Sequence, residues 1–402
     1  MNAQYQFRQK ESDEALALGT EPIPAGPYYQ ADYFDLEREA IFRRTWLNIG
    51  HVCELPEAGS FIVRQFDFAN ASILIVRGKD DVIRAFYNVC PHRGTQLVSD
   101  VSGKRSTFTC PYHAWTFSST GELRSAPDMQ RFYAEQKDCG LRKVSVDVCA
   151  GLIFVNLDPS PKQNLREFLG QIAAELETLP VAKATTFSEY VYEIDANWKL
   201  TYDNFQENYH LRFIHPRSGG PANGPDNPFG YPTRYRFLGP HRTQTIWSNP
   251  NPAPWITPTQ GFIFSKAVPF VVADGFAQAP NNQEYFAIFP NSFIIGAPTQ
   301  HFSHYVMPLS ATRSRGVIRL YWIGEDNSAT KRLVREFSMA LALDIHSEDR
   351  AVIEAGQRGL SSGALKHIHF QSQEVLCRHL HKSVDQAVQA YRAERTAAGA
   401  AK

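Results

Sequence analysis

Two short stretches, Cys90-Pro-His-Arg-Gly94 and Cys110-Pro-Tyr-His-Ala-Trp-Thr-Phe117, decide how the first part of this chain is interpreted. Each puts one thiol and one imidazole on a short loop, and the proline after each cysteine stiffens that loop by fixing φ. Two thiolates on one iron and two imidazoles on another would hold a two-iron, two-sulfur cluster. A Cys2His2 zinc site would use the same residue types. Zinc fingers usually pair cysteine with cysteine and histidine with histidine along the chain. Here each stretch contains one of each, which favours the cluster.

A second group of ligand-type side chains comprises Glu207, His210 and His215. On a predicted helix from Leu200 to Phe213, Glu207 and His210 share a face. Pro216 disfavours helical backbone at His215, so we expect the helix to break there and the second imidazole to turn towards the first. Two imidazoles and one carboxylate can hold ferrous iron with open positions for dioxygen and substrate. The alternative is a purely structural histidine pair.

The carboxylate is expected from a long predicted helix at Ala329–Gly356. Its apolar stripe comprises Phe337, Leu341, Ile345 and Val352. At about 100° per residue, Glu348 and Asp349 both fall on or beside that stripe. A carboxylate directed into a core is costly unless it is paired or bound to metal. Periodicity therefore nominates both acids and decides between neither. For either acid, the alternative is a rim carboxylate paired with Arg350 or His346.

The pattern of the chain predicts two domains after an N-terminal helical segment, residues 1–46, that packs on the later domain. Residues 47–158 contain short β-prone runs divided by Gly and Pro, which is typical of a small β-sandwich or barrel. Residues 159–402 show strands followed by helices without βαβ alternation, which favours an α+β domain around an antiparallel sheet. Residues 216–260 are rich in Pro, Gly and Asn and are expected to form irregular loops.

The predicted elements are as follows. Strands of the first domain are expected at Phe61–Val63, Ile73–Val76, Val82–Tyr87, Val144–Val148 and Leu152–Asn156. Strands of the second domain are expected at Ser188–Ile194, Gly261–Val272, Tyr285–Gly296 and Gly316–Ile323. Further helices are expected at Tyr33–Trp46, Leu165–Leu179 and Gln373–Arg395.

The composition of the 402 residues excludes several classes of protein. Lys+Arg 41 balance Asp+Glu 41, which argues against a nucleic-acid-binding or cationic membrane-binding surface. No apolar run is long enough to span a bilayer. Met1 to Thr20 has no export signature, so we expect the protein in the cytoplasm. The other four cysteines lack a histidine at the clamp spacing and are expected to be buried thiols.

The two Cys/His stretches closely resemble the Rieske motif of the aromatic-ring-hydroxylating oxygenases. The run from Asp203 to Pro216 resembles the catalytic-domain motif of the same family. The resemblance implies a small all-β Rieske [2Fe-2S] domain before a helix-grip catalytic domain. It assigns the cluster to Cys90, His92, Cys110 and His113. It assigns the mononuclear Fe(II) to His210, His215 and Asp349. It places Glu207 and Asp203 among the catalytic residues, and makes Trp115 and Arg93 supports of the cluster.

The resemblance also implies partners. Electrons would come from NAD(P)H through a separate reductase, directly or by way of a ferredoxin, because this chain has no dinucleotide-binding fingerprint of its own. Glu207 would link His210 to a cluster histidine, His113, of a neighbouring subunit. The protein would then be a ring-shaped homo-oligomer, a trimer. The alternative for Glu207 is that it orients His210 alone.

For the substrate, the sequence leaves three hypotheses. An aromatic compound, hydroxylated or demethylated in aromatic hydrocarbon catabolism, is ranked first. The pocket would take its aromatic residues from Phe229, Tyr231, Tyr235, Trp247, Trp255 and Phe264. Arg234, Arg236 and Arg242 would either make it basic or face solvent. A quaternary amine such as choline, betaine or carnitine, held by cation–π contact, is the alternative. A Rieske electron carrier without oxygenase activity is a hypothesis of a different class.

Overall fold

The computed structural model describes residues 12–216, 227, 229–247, 282–296, 301–324 and 328–400. The chain divides into two compact units, one made of Ile41–Phe168 and the other of Met1–Ala40 with Leu169–Lys402. In the described ranges, no helix combines the length and the apolar character that a membrane span needs. The predictions for Trp255, Phe264 and the strand Gly261–Val272 lie outside the described residues.

The Ile41–Phe168 unit consists of two antiparallel sheets. The strands are β1 (Leu47–His51), β2 (Ser60–Phe66), β3 (Ala71–Arg77), β4 (Ile83–Tyr87), β5 (Ser102–Lys104), β6 (Thr107–Thr109), β7 (Thr116–Ser118), β8 (Leu123–Ser125), β9 (Lys143–Cys149) and β10 (Leu152–Asn156). The larger sheet has the order β1-β10-β9-β4-β3-β2-β5, and the smaller has the order β6-β7-β8. All five runs predicted for this region overlap strands, so the all-β prediction is confirmed.

Aromatic side chains form the core of this unit. The buried cluster includes Phe61, Phe86, Phe108, Trp115 and Phe117. Cys90 and Cys110 belong to the same cluster. The strands therefore bury one apolar face and hold the two cysteine loops against it.

The second unit places one long helix against an antiparallel sheet. The strands of that sheet are β11 (Thr186–Ile194), β12 (Arg234–Leu238), β13 (His241–Trp247), β14 (Asn282–Ile288), β15 (Ser292–Gly296), β16 (His301–Ser310) and β17 (Arg313–Trp322), and Ile23–Pro24 pairs separately with His367–Ile368. Strands β11 to β17 form one antiparallel sheet in the order β11-β17-β16-β15-β14-β13-β12. The α-helices of the described residues are α1 (Asp13–Leu16), α2 (Ala31–Glu37), α3 (Leu165–Leu169), α4 (Gln171–Thr178), α5 (Trp198–Asp203), α6 (Leu211–Ile214), α7 (Ala329–Ser361) and α8 (Val375–Ala400), of which α3 falls at the boundary between the two units. Helix α7 packs against β11, which confirms the α+β prediction.

The N-terminal segment is tied to α5 by a buried ion pair. Lys199 Nζ lies 2.6 Å from Glu37 Oε1, and both side chains are completely buried. The indole N–H of Trp198 donates to the other oxygen of Glu37 at 3.0 Å. The helix predicted at Tyr33–Trp46 is shorter, because α2 ends at Glu37 and a π-helical turn, Arg38–Phe42, follows.

The predicted helix from Leu200 to Phe213 is wrong in its middle. Helix α5 ends at Asp203, and helical structure resumes only at α6. Polar side chains of the intervening segment bond elsewhere: Asn208 donates to Gly230 O at 2.8 Å, and Asn204 donates to Asp349 Oδ1 at 3.3 Å. Asparagine competes with the helical backbone for such bonds, so tertiary contacts override the local preference here.

Two other predictions also need correction. The region assigned to loops contains the hairpin β12–β13, which turns at Gly239 with φ of 61°. A two-residue turn with glycine in its first central position suits the twist of paired strands. The predicted helix Leu165–Leu179 is divided into α3 and α4 at Gly170, where φ is positive.

The buried face of α7 differs from its predicted apolar stripe. Val352 is 40% exposed, and Phe337, Leu341 and Ile345 are only half-buried. The buried face carries three other apolar residues, Val334, Ile353 and Leu360, together with the polar residues Lys331, Ser338, His346, Asp349 and Gln357. Their burial is tolerated where they have partners: Gln357, for example, accepts from Asn197 N at 2.8 Å and donates to Tyr28 O at 3.1 Å.

Candidate metal centres

The two cysteine loops of the Ile41–Phe168 unit bring thiol to thiol and imidazole to imidazole. The ring centroids of His92 and His113 lie 4.5 Å apart. The two cysteines are buried, whereas the two imidazoles are half-buried. Trp115 stacks on His92 with a centroid distance of 5.0 Å. This arrangement can place an inner iron on sulfur and an outer iron on nitrogen.

The two loops share the same backbone turn. The N–H of Gly94 donates to Cys90 O at 2.9 Å, and the N–H of Ala114 donates to Cys110 O at 3.1 Å. These two residues hold equivalent positions, and both have positive φ, 74° and 57°. Glycine adopts this conformation without strain, whereas alanine rarely does. The loop of Cys110 is therefore held in shape by its surroundings.

The polar atoms of these loops fit a bound cluster. Nδ1 of His92 is buried and has no hydrogen-bond partner among the described residues, which metal binding would remedy. Burial is the main reason why the pKa of the Cys90 thiol is raised to about 11, and the adjacent Cys110 thiol contributes. A bound metal ion reverses this effect, since a coordinating thiol loses its proton.

The second unit assembles a triad from His210, His215 and Asp349. Each offers one ligand atom, and these atoms all lie within 4.8 Å of one another. Oδ1 of Asp349 is 2.8 Å from Nε2 of His215 and 3.5 Å from Nε2 of His210. The backbone break at His215, the C-cap of α6, is as predicted. Without that break, the two imidazoles would not converge.

A carboxylate contacts the other nitrogen of each imidazole. Nδ1 of His210 hydrogen bonds to Oε1 of Glu207, and Nδ1 of His215 lies 2.7 Å from Oε2 of Glu348. A carboxylate on Nδ1 directs the Nε2 lone pair of a histidine towards a metal ion. Both Nε2 atoms therefore face the same position as Asp349.

The charges around the triad also suit a cation. Burial lowers the pKa of His215, but the hydrogen bonds and charges of Asp349 and Glu348 outweigh it, so the pKa is raised overall. The same carboxylates that favour a proton on this ring would favour a divalent ion in its place. The donor set of two imidazoles and one carboxylate is the set that non-heme ferrous sites use.

The sequence matches two families that correspond to these two centres. Residues 181–390 match the ring hydroxylating alpha subunit (catalytic domain), and residues 45–145 match the Rieske [2Fe-2S] domain. The first match alone covers more than half of the chain. The chain belongs to the Rieske oxygenase alpha-subunit family. The cofactors of this family are a [2Fe-2S] cluster and a mononuclear iron, and the two groups of residues described above fit them.

Relatives of this Rieske oxygenase subunit act on two kinds of substrate. This chain is 37% identical over 196 residues to the carnitine monooxygenase oxygenase subunit of Escherichia coli (strain K12), and the match covers 48% of this chain and 52% of the relative. It is 35% identical over 193 residues to the 2-aminobenzenesulfonate 2,3-dioxygenase subunit alpha of Alcaligenes sp, covering 47% and 48%. The chain spans about half the length of the curated relatives it matches.

Solved structures share the fold of this Rieske oxygenase subunit over nearly the whole chain. A quaternary ammonium Rieske monooxygenase, described with insights into carnitine oxidation and inter-subunit electron transfer, matches with a TM-score of 0.75 and 24% identity. That match covers 95% of this chain and 99% of the other. Naphthalene 1,2-dioxygenase from Rhodococcus sp. bound to indole matches with a TM-score of 0.72 and 22% identity, covering 94% and 99%.

Asp203 was predicted among the catalytic residues, but the hydrogen-bond partners that follow are not members of the triad. It is buried, and its Oδ2 accepts from the Tyr28 hydroxyl at 2.8 Å and lies 3.3 Å from Nε2 of His381. Its Oδ1 accepts from Gln206 at 3.2 Å. We propose that Asp203 positions the segment between α5 and α6, which carries Glu207 and His210, rather than touching the reacting atoms.

Two features of the site escaped sequence reasoning, and one predicted feature is not supported. Glu348, which periodicity alone did not separate from Asp349, contacts His215 on the side opposite Asp349. Asn204 donates to Asp349, although nothing local marks it for that role. The predicted basic pocket is also not supported by two of its arginines: Arg236 pairs with Glu175, and Arg242 is completely buried and donates to Gln206. The adjacent acids, Glu348 and Asp349, were the only signal in the sequence for the first of these features.

Proposed function

We propose that this protein is the oxygenase component of a multicomponent Rieske non-heme iron oxygenase and that it oxidises a quaternary ammonium compound. The observation that carries the oxygenase proposal is the convergence of His210, His215 and Asp349. A Rieske electron carrier would need only the two cysteine loops. The match of residues 181–390 to a catalytic domain therefore favours the oxygenase.

For the substrate, the relatives support the alternative better than the hypothesis ranked first by the sequence. Carnitine and glycine betaine monooxygenases recur among them, the latter from Pseudomonas aeruginosa at 31% identity over 194 residues. Several structural neighbours are quaternary ammonium monooxygenases. An aromatic compound is the second candidate, because the aminobenzenesulfonate dioxygenase is of similar identity.

Each centre would serve the reaction through the residues already described. Iron held by the triad would supply dioxygen activation and oxygen insertion, with electrons relayed by the cluster on the cysteine loops. Glu207 and Glu348 contact Nδ1 of the two imidazoles and would favour the tautomer in which Nε2 binds the ion. Asn204 holds Asp349 by a hydrogen bond to Oδ1.

Glu207 would have a second role, as the bridge for electrons between subunits. It contacts His210 twice, through Nδ1 and through the backbone N–H at 3.2 Å. Inter-subunit electron transfer is described for the quaternary ammonium monooxygenase that shares this fold. We therefore expect a ring-shaped trimer, in which His113 of one protomer faces Glu207 and His210 of the next. A reductase using NAD(P)H, directly or with a ferredoxin, would be the partner, and the cytoplasm the compartment.

Oxygen uptake with a generic reductase and NADH tests this proposal. Substrates should include choline, glycine betaine and carnitine in one series and aromatic acids in the other. We expect uptake coupled to product in the quaternary amine series and three irons per chain. Asp349→Ala should reduce the iron content to two and abolish uptake, while Glu336→Ala, an exposed acid on the same helix, should change neither. Coupled uptake only with aromatic acids would overturn the substrate proposal, and two irons in the wild type would overturn the oxygenase proposal.

A further inference from the structure

A group of aromatic and imidazole rings, three buried and two half-buried, lies beside the triad and has no role in the function proposed so far. We call it the His346 cluster, and its members are Tyr190, Tyr192, Phe205, His304 and His346. His346 lies one turn before Asp349 on the same face of α7, and both are buried. The other rings come from β11, from β16 and from the segment between α5 and α6.

The rings are in direct contact. Tyr192 lies on His346 with a centroid distance of 3.9 Å, and Tyr190 meets the same imidazole at 5.6 Å. Phe205 lies on His304 at 4.1 Å. Because Phe205 is two residues from Glu207, the cluster continues directly into the segment that carries the iron ligands.

A glycine creates the place for Tyr192. In the sheet register Tyr192 is opposite Gly316, and its ring lies over that residue. A Cβ atom added to Gly316 would be 2.2 Å from Cζ of Tyr192, a separation that real structures do not show. The phenol crosses the glycine and lies 2.6 Å from Nε2 of His304. The tyrosine–histidine pair therefore depends on a residue without a side chain at position 316.

The two histidines keep unused hydrogen-bonding atoms. His304 and His346 are 0% and 2% exposed. Nδ1 of His304 and both ring nitrogens of His346 have no hydrogen-bond partner in the described part of the chain. A buried polar atom without a partner costs free energy, and native proteins seldom keep three of them together unless a water or ligand completes them.

Both imidazoles are neutral at neutral pH. Burial lowers the pKa of His346 to about 4, despite an opposing effect of Asp349. Burial also lowers the pKa of His304 well below its usual range. Each ring therefore offers one N–H donor and one bare nitrogen, and neither brings a charge.

We propose that His346 and His304 bind a neutral oxygen of the substrate, a hydroxyl or a carbonyl, and so select quaternary ammonium compounds that carry one. The quaternary ammonium group in this inference rests on the proposed function. The recognition of an oxygen atom rests on the two histidines. A quaternary ammonium group has no N–H and could not complete the imidazoles, whereas aromatic rings such as those of the cluster attract a cation by cation–π contact. A hydroxyl can donate to one ring and accept from the other.

Calorimetric titration of the anaerobic holoenzyme tests this inference without turnover. The probes are choline and propyltrimethylammonium, which differ by one hydroxyl replaced by a methyl group. A site whose buried polar groups require an oxygen rejects the analogue that lacks it. We expect the wild type to bind choline about tenfold or more tightly. In His346→Leu this preference should fall below about threefold, and in His346→Gln, which keeps a donor and an acceptor, most of it should return.

A matched control separates recognition from general damage. His379 is another buried histidine of the same unit with a partnerless Nδ1 among the described residues, but its ring stacks on Phe237, outside the cluster. His379→Leu should keep the wild-type preference for choline. Iron content and the cluster spectrum should be unchanged in all three variants. Equal affinity for the two probes in the wild type, or an unchanged preference in His346→Leu, would overturn the inference and leave the nitrogens to bound water.

A second probe pair distinguishes this inference from the proposed function. Benzyl alcohol and ethylbenzene differ by the same exchange on an aromatic frame. If only this pair binds, and His346→Leu removes its preference for the alcohol, the histidines recognise oxygen and the quaternary ammonium proposal fails. If both quaternary probes bind equally well, the proposed function stands and the role of the histidines is refuted.

Discussion

Glu348 lies 2.7 Å from Nδ1 of His215, on the side of the ring opposite the Asp349 contact. Two consecutive acids of one helix therefore contact the two nitrogens of a single imidazole. We propose that Asp349 would bind iron beside Nε2, while Glu348 at Nδ1 would favour the tautomer in which Nε2 can bind the ion. The question that periodicity left open has a physical answer, since the two acids have different tasks.

The first prediction concerns Glu348. Glu348→Ala should lower the affinity of the triad for ferrous iron by about 10- to 100-fold, because His215 loses the acceptor that orients it. Iron retained after dialysis against a graded chelator series measures this, with the cluster absorbance as an internal standard. Glu336→Ala, on an exposed part of the same helix, is the control. Equal iron retention in the two variants would show that His215 needs no such partner.

The second prediction concerns Glu207. Glu207→Gln keeps an oxygen that can accept from His210 but removes the negative charge, so the iron site should fill while electron delivery fails. We expect an intact cluster spectrum, normal reduction by dithionite and loss of turnover. Rapid-mixing measurements of cluster oxidation in the presence of substrate and dioxygen would follow the step directly. Undiminished turnover would remove Glu207 from the electron path and leave it as an orienting residue.

The third prediction uses two glycines. Gly316→Ala places a methyl group against the ring of Tyr192 and should destabilise the protein by about 1–3 kcal/mol, as overpacking does. Gly356→Ala meets only Leu200 Cδ2 at 3.7 Å, an ordinary contact, and should not destabilise it. Urea denaturation gives both values. A Gly316→Ala protein as stable as wild type would mean that the Tyr192 ring can move aside without loss.

The fourth prediction is a pH dependence. Burial, helped by Arg242, lowers the pKa of His379 to about 3, whereas the unfolded chain should titrate near its usual value of about 6.5. Below that value the unfolded state binds the extra proton, so the free energy of unfolding falls as the pH decreases. Between pH 6 and pH 5, wild type should lose about 1 kcal/mol more than His379→Leu. Parallel urea titrations of the two proteins at both pH values test this, and identical losses would contradict it.

Much of this site could be predicted because many of its residues are close together in the sequence. Pro216 predicted the break at His215, and the mixed cysteine and histidine loops predicted the cluster. The unwound segment between α5 and α6 could not be found in the same way. Asn204 and Asn208 leave the helix for partners on α7 and at Gly230, and neither partner is close in sequence. Helix propensity depends on neighbouring residues only and does not include such long-range hydrogen bonds.

The hairpin β12–β13 was missed for a different reason. Its first strand alternates arginine with aromatic residues from Arg234 to Phe237, and the two strands meet at Gly239-Pro240, which is a turn signal. The surrounding region, rich in proline and asparagine, masked that short pattern. The buried face of α7 was missed because its polar residues are stabilised by contacts to the sheet and to Tyr28, which a count of apolar residues does not reveal.

The completely buried pair of Lys199 and Glu37 makes the N-terminal segment a working part of the catalytic unit. A shortened protein that started after Glu37 would leave the buried ammonium group of Lys199 without its ion-pair partner, eleven residues before His210. In such a protein, either water would have to enter that interior or Lys199 would have to lose its proton. Truncation at this end should therefore disturb the candidate iron site. Engineered fusions are better attached elsewhere.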